Sequence, residues 1–82
     1  MESEAIKSLL QQHFVSANIE VTIEGSHVNL LIISELFDGL TSLKRQQSVY
    51  GVLSESIANG EIHAVNMKTL TPQEVARTQS HG

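Results

Sequence analysis

The chain has 82 residues and a formal net charge of −4, with 40% hydrophobic and 17% charged side chains. This length suits one small domain with a single core, and the composition is that of a folded rather than a disordered chain. Five lysines and arginines are few for a general phosphate-binding surface, and the absence of cysteine excludes disulfides, zinc ribbons and a thiol nucleophile.

The first half of the chain predicts a helix followed by two strands. Apolar residues recur at helical spacing through residues 3–15, which predicts an amphipathic helix. Apolar and polar residues alternate over 19–24, and a second strand follows at 28–34 after the short turn Gly25-Ser26, so the two strands should form a hairpin. Residues 30–33 are continuously apolar, and we therefore expect the second strand to be the central one.

The second half begins with a break in the strand pattern at Phe37-Asp38-Gly39. Apolar residues then recur at three- and four-residue steps over 41–58, which predicts a helix with Thr41 or Ser42 as its N-cap and Asn59-Gly60 at its end. Gly51 lies inside this helix, where glycine costs about 1 kcal/mol relative to alanine. Its presence suggests a close approach or a bend.

The last third of the chain predicts a strand and a short helix. The strand covers 62–70 and leads into Thr71-Pro72-Gln73-Glu74, which has the pattern of a capping box with proline at the first helical position. The helix that follows is expected to fray over 76–82, within a single domain of residues 1–82.

The helix at 41–58 can connect two parallel strands, and such crossovers are almost always right-handed. In that case the second and third strands begin at the same edge of the sheet, where His27 and His63 lie. Neighbouring strands are ~4.8 Å apart, which is close enough for two side chains to share one metal centre. In a chain without cysteine, histidine is the side chain suited to such ligation.

The residues alone leave two interpretations of these histidines open. His63 can be a strand-end histidine that packs against its neighbours and bonds a backbone carbonyl, and this interpretation is favoured before any resemblance is considered. His27 can be an exposed turn residue without a role. His13 suits the negative end of the first helix, and His81 lies in the expected tail, so neither is assigned a function.

Several motifs together resemble the BolA-like proteins, and within them the short bacterial IbaG/YrbA branch. They are Gly25-Ser26-His27-Val28, Glu35-Leu36-Phe37-Asp38-Gly39-Leu40 with Lys44-Arg45-Gln46-Gln47-Ser48-Val49-Tyr50-Gly51, and Ile62-His63-Ala64-Val65 with Thr69-Leu70-Thr71-Pro72-Gln73-Glu74. The resemblance implies one class II KH-like α/β (α+β) domain. Its element order is α-β-β-α-α-β-α, and its three-stranded mixed sheet carries the helices on one face.

The resemblance implies a non-enzymatic adaptor that forms a heterodimer with a monothiol, CGFS-type glutaredoxin and shares a two-iron two-sulfur (2Fe-2S) cluster with it. His63 corresponds to the family's C-terminal histidine ligand. His27 is the one candidate for the second ligand in the short loop, although longer-looped members place theirs a few residues earlier. The Gln46-Gln47 pair, where many members have histidine, leaves the central helix without a ligand.

A cluster of this kind needs four ligands, and pairs of histidines on one iron are known in Rieske centres. Since this chain has no cysteine, thiolates must come from the glutaredoxin and from glutathione. We therefore expect no bound cluster when the protein is alone, and a monomer or weak homodimer in that state.

The runner-up function is that of a DNA-binding transcriptional or stress-response regulator that uses Lys44 and Arg45 as a basic patch. The acidic net charge and the absence of a Gly-x-x-Gly loop argue against it, and a solvated helix face explains this pair more simply. No nucleophile motif indicates an enzyme. No segment reaches the ~18–20 apolar residues of a membrane span, and no secretory signal is evident, so we expect a cytoplasmic protein with no membrane association.

Overall fold

The computed structural model describes residues 2–79, with side chains for residues 2–77. Its elements, in chain order, are α1 (Ser3–His13), β1 (Asn18–Glu24), β2 (His27–Ile33), a 3-10 turn (Glu35–Phe37), α2 (Ser42–Ala58), β3 (Ala64–Leu70) and α3 (Pro72–Gln79). This is the element order that the resemblance implies, with the 3-10 turn as the first of the two consecutive helical segments.

The three strands form one mixed sheet in the order β1-β2-β3. β2 is antiparallel to β1 and parallel to β3, so α2 is the crossover connection between two parallel neighbours. The predictions of a hairpin, a central second strand and a parallel third strand are confirmed.

The core lies between one face of the sheet and helices α1 and α2. Burial alternates along β2, where Val28, Leu30 and Ile32 are buried and the residues between them are more exposed. The helices contribute the buried side chains Ile6, Leu10, Val49 and Leu53 to the same core. The opposite face of the sheet carries no buried residue in the described chain, which agrees with helices packed on one face.

Two predicted boundaries differ from the structure by two residues. α1 ends at His13 rather than at residue 15, because Phe14 leaves helical geometry and Ser16 adopts a positive φ of 70°. β3 begins at Ala64 rather than at residue 62, because the N–H of Ile62 bonds the Ser56 carbonyl instead of a strand.

At the end of the chain, α3 continues to Gln79, and fraying over 76–82 stays a prediction. The rest of the expected tail, including His81, lies outside the described residues. None of the helices in the described range is both long enough and apolar enough to cross a bilayer.

Candidate functional site

The starts of β2 and β3 bring two histidines to one edge of the sheet. His27 is the first residue of β2 and is paired with Ala64, the first residue of β3. His63 immediately precedes Ala64, and its backbone N–H donates a 3.0 Å hydrogen bond to the carbonyl of Ser26. His27 thus begins β2, and His63 lies one residue before β3. Both are at the same edge of the sheet, as the crossover argument predicted.

Local turns fix the backbone on both sides of this edge. Gly25, with φ of +62°, occupies the two-residue turn that reverses β1 into His27. After α2, Gly60 adopts φ of +85°. Across this turn the Asn59 side chain donates to the Glu61 carboxylate and accepts from the Glu61 N–H. A side chain other than glycine would be strained at these positive φ values. The turns thus hold the histidine backbones in place.

Both imidazoles are exposed, although each lies beside a buried residue. His27 precedes Val28, which is fully buried, and His63 follows Ile62, which is 2% exposed. Neither imidazole takes part in a hydrogen bond or ion pair with residues 2–77. The packed strand-end histidine expected from the residues alone is therefore not what the structure shows for His63, whose side chain is open to a partner.

The surroundings of His27 are set by the register of the open sheet face. Glu24 is opposite His27 on β1, and Ala64 is opposite it on β3. The next row along contains Asn29 and Asn66, whose side-chain amides hydrogen-bond at 3.2 Å. Ala64, the neighbour of His27 on β3, has a small, half-buried side chain.

Two imidazoles make an incomplete set of metal ligands. In residues 2–79 no three histidine, aspartate or glutamate side chains are grouped so that they could hold a metal ion, and the whole chain has no cysteine. A 2Fe-2S cluster needs four ligands, and pairs of histidines on one iron are known. The two imidazoles could supply at most two of these ligands, and a second molecule would have to supply the others.

His13 lies at the other end of the sheet. It is the last residue of α1, and its ring meets Phe14 edge-on with centroids 4.9 Å apart. It lines a shallow groove of about 670 Å³ with Ile33, the residue that ends β2. His13 is therefore exposed at the end of the sheet opposite to the edge where His27 and His63 lie.

Lys44 and Arg45, the residues of the nucleic-acid alternative, have different environments. Lys44 is exposed, whereas the Arg45 side chain is 13% exposed and forms an ion pair with Glu74 at 2.8 Å. Arg45 also donates hydrogen bonds of 3.1 Å to the carbonyls of Leu40 and Thr69. Only Lys44 faces solvent, so the two residues do not form a two-cation surface patch.

The sequence did not predict the Arg45–Glu74 pair, although it predicted the capping box in which Glu74 takes part. Thr71 accepts from the Glu74 N–H at 3.1 Å, and the Glu74 carboxylate accepts from the Thr71 N–H at 2.8 Å. The hydrogen bond from Arg45, followed by the bond from the Thr71 backbone, lowers the pKa of Glu74 from 4.5 to about 2. This carboxylate is held in its charged form.

Known proteins are similar to this chain over the region that contains both His27 and His63. The family model described as "BolA-like protein" matches residues 4–74. The chain is 44% identical to "Acid stress protein IbaG" of Escherichia coli K12 over 77 residues, which cover 94% of this chain and 92% of that protein.

Two solved structures share the fold. The BolA domain of SufE1 from Arabidopsis thaliana superposes with a TM-score of 0.81 at 26% identity, covering 88% of this chain and 93% of that domain. A bolA protein homologue from Coxiella burnetii gives a TM-score of 0.78 at 28% identity, covering 94% of this chain and 99% of the homologue.

Proposed function

The chain belongs to the BolA-like family, and from that premise we propose that it is a non-enzymatic cytosolic adaptor that pairs with a monothiol glutaredoxin. The two proteins share a 2Fe-2S cluster in cluster assembly, cluster trafficking or iron homeostasis. His63 and His27 supply the imidazole ligands, and the glutaredoxin cysteine and glutathione supply the thiolates.

The observation that supports this proposal most is the placement of His27 and His63 at the starts of adjacent parallel segments. The His63 N–H bonds the carbonyl of Ser26, the residue before His27, and both imidazoles are exposed. Exposed imidazoles at one edge of the sheet are accessible to an iron atom that a partner holds, and neither contributes to the buried core. The chain provides no thiolate of its own, which is consistent with a partner that does.

The test is to mix the protein with cluster-loaded monothiol glutaredoxin and glutathione and to record visible circular dichroism. We expect the wild-type protein to change the spectrum, because replacement of a thiolate by imidazole alters the ligand field of one iron. His63→Ala should remove this change, and His27→Ala should reduce it.

His13→Ala is the matched control, since it removes another exposed imidazole, at the other end of the sheet. It should behave as the wild type. An unchanged wild-type spectrum would contradict the shared cluster. The same change with His63→Ala as with wild type would remove His63 from the ligand set, and the same result with His27→Ala would remove His27 alone.

A further inference from the structure

α2 carries a stripe of large apolar side chains that no described element covers. Leu43, Tyr50 and Ile57 are 63%, 41% and 38% exposed. They are spaced by seven residues, and residues at this spacing lie on nearly the same side of a helix, with a drift of only about 20° per step. We call these three residues the α2 stripe. Single exposed apolar residues are common, but an aligned row along one helix is typical of a contact surface.

Gly51 lies next to the α2 stripe and has no role within the described chain. It is exposed in the interior of α2, where glycine destabilises a helix relative to alanine. A Cβ added at Gly51 would meet nothing within 4 Å, and its φ is not positive. The close approach that the sequence suggested at this position is therefore not made within residues 2–79, and it remains available to a second molecule.

Two charges on the same helix are also placed against the local electrostatics. Lys44 is in the first turn of α2, at the positive end of the helix dipole, and Glu55 is in the last turn, at the negative end. Both side chains are exposed, and neither forms an ion pair with residues 2–77. They lie about three turns apart on the same side of the helix, beside Gly51.

These features complement each other when two copies of α2 pack antiparallel around a two-fold axis at Tyr50. Leu43 and Ile57 are equally distant from Tyr50, so Leu43 of one copy faces Ile57 of the other. Lys44 then lies within one residue, about 1.5 Å along the axis, of the level of Glu55 of the second copy, and this contact occurs twice in the assembly. A two-fold axis places the apolar side of α2 next to the apolar side of the second α2. In the same way it places the side with Lys44 and Glu55 next to the same side of the second copy.

We propose that the α2 stripe, with Gly51, Lys44 and Glu55 beside it, is a docking surface for α2 of a second copy of this chain. The 17 residues of α2 extend over only about 25 Å. One helix of this length covers less than the ~800 Å² per partner of a standard stable interface. The homodimer is therefore weak and forms at high protein concentration. Its residues include neither His27 nor His63.

Charge reversal with sedimentation velocity tests the proposal, over a concentration series that extends into the millimolar range. We expect wild-type protein to dimerise. Lys44→Glu and Glu55→Lys should each raise the Kd of the dimer about tenfold, because each turns two attractions into two repulsions. The double variant Lys44→Glu with Glu55→Lys should restore dimerisation. Both single changes improve the fit to the helix dipole, so loss of dimer cannot be assigned to unfolding.

Gly51→Gln provides a second test with opposite effects on the two states. It should raise the melting temperature of the monomer, since a good helix former replaces glycine in open space, while its side chain blocks the approach of the second helix. Lys68→Glu, an exposed charge reversal on β3, is the matched control and should dimerise as the wild type does. A wild type that stays monomeric, a double variant that does not recover, or a Gly51→Gln protein that dimerises normally would overturn the proposal.

Discussion

Arg45 joins three elements of the fold through one guanidinium. It starts from α2, donates to the Leu40 carbonyl before that helix and to the Thr69 carbonyl in β3, and pairs with Glu74 in α3. The guanidinium also lies 5.8 Å from the centre of the Phe37 ring. Arginine suits this position because its planar group carries five donors, whereas lysine offers a single charged point.

The lowered pKa of Glu74 predicts a specific dependence of stability on pH. The folded pKa of about 2 lies below the ordinary value of 4.5, so the contribution of the charged carboxylate is complete above pH 4.5 and is lost as the pH falls towards 2. Glu74→Gln keeps a capping side chain but does not titrate. We expect the stability advantage of wild type over Glu74→Gln to shrink between these two pH values.

Urea unfolding of both proteins across this pH range measures the difference. The other carboxylates are common to the two proteins, so they cancel in the comparison. The Glu74 side chain is about a third exposed, and added salt should therefore reduce the advantage at neutral pH. A difference that stays constant from pH 4.5 to pH 2 would show that Arg45 does not hold this carboxylate charged.

At the scale of elements, local chemistry predicted much of the structure. Thr41 caps α2 and Thr71 with Glu74 forms the capping box of α3, because each signal involves residues only three apart. The common edge of His27 and His63 followed from the handedness of one crossover. The start of β3 was predicted wrongly, because Ile62 continues the apolar pattern while its N–H is bonded to Ser56.

The features that could not be predicted depend on contacts distant in sequence. Arg45 meets its partners Thr69 and Glu74 across separations of 24 and 29 residues, and nothing in the local pattern marks them. The exposure of the two imidazoles depends in the same way on which residues the packed helices cover. The α2 stripe was concealed because its spacing is also that of a core-facing helix.

Two threonine N-caps, Thr41 and Thr71, predict different costs for the same substitution. Thr71 is buried, and its hydroxyl accepts from a partly buried N–H of Glu74, whereas Thr41 is exposed. Valine keeps the shape of threonine and removes the acceptor. We expect Thr71→Val to lower the free energy of unfolding by about 1.5 kcal/mol and Thr41→Val by about 0.5 kcal/mol, because water can replace the exposed cap. Chemical denaturation measures both, and equal losses would contradict this account.

On the scale of the whole molecule, β3 separates the candidate site from the residues that stabilise the fold. His63 precedes the strand, and Thr69 and Thr71, which take part in the Arg45 and Glu74 contacts, are at its end. Seven residues of strand span roughly 20 Å. Sites this far apart without shared partners contribute independently to stability.

This separation predicts the behaviour of a double variant. Arg45→Ala should lower the free energy of unfolding by about 2 kcal/mol, because two backbone carbonyls and Glu74 lose their donor. Lys44→Ala, at the exposed neighbouring position, should change it by less than about 0.5 kcal/mol.

His63→Ala should also be nearly neutral for stability yet remove the circular dichroism change. In Arg45→Ala with His63→Ala, the loss of stability should match that of Arg45→Ala, and the loss of cluster sharing should match that of His63→Ala. If Arg45→Ala, measured where it is folded, also lost the cluster signal, the two ends of β3 would be coupled. Cluster sharing through His63 would then depend on the contacts that Arg45 makes at the other end of the strand.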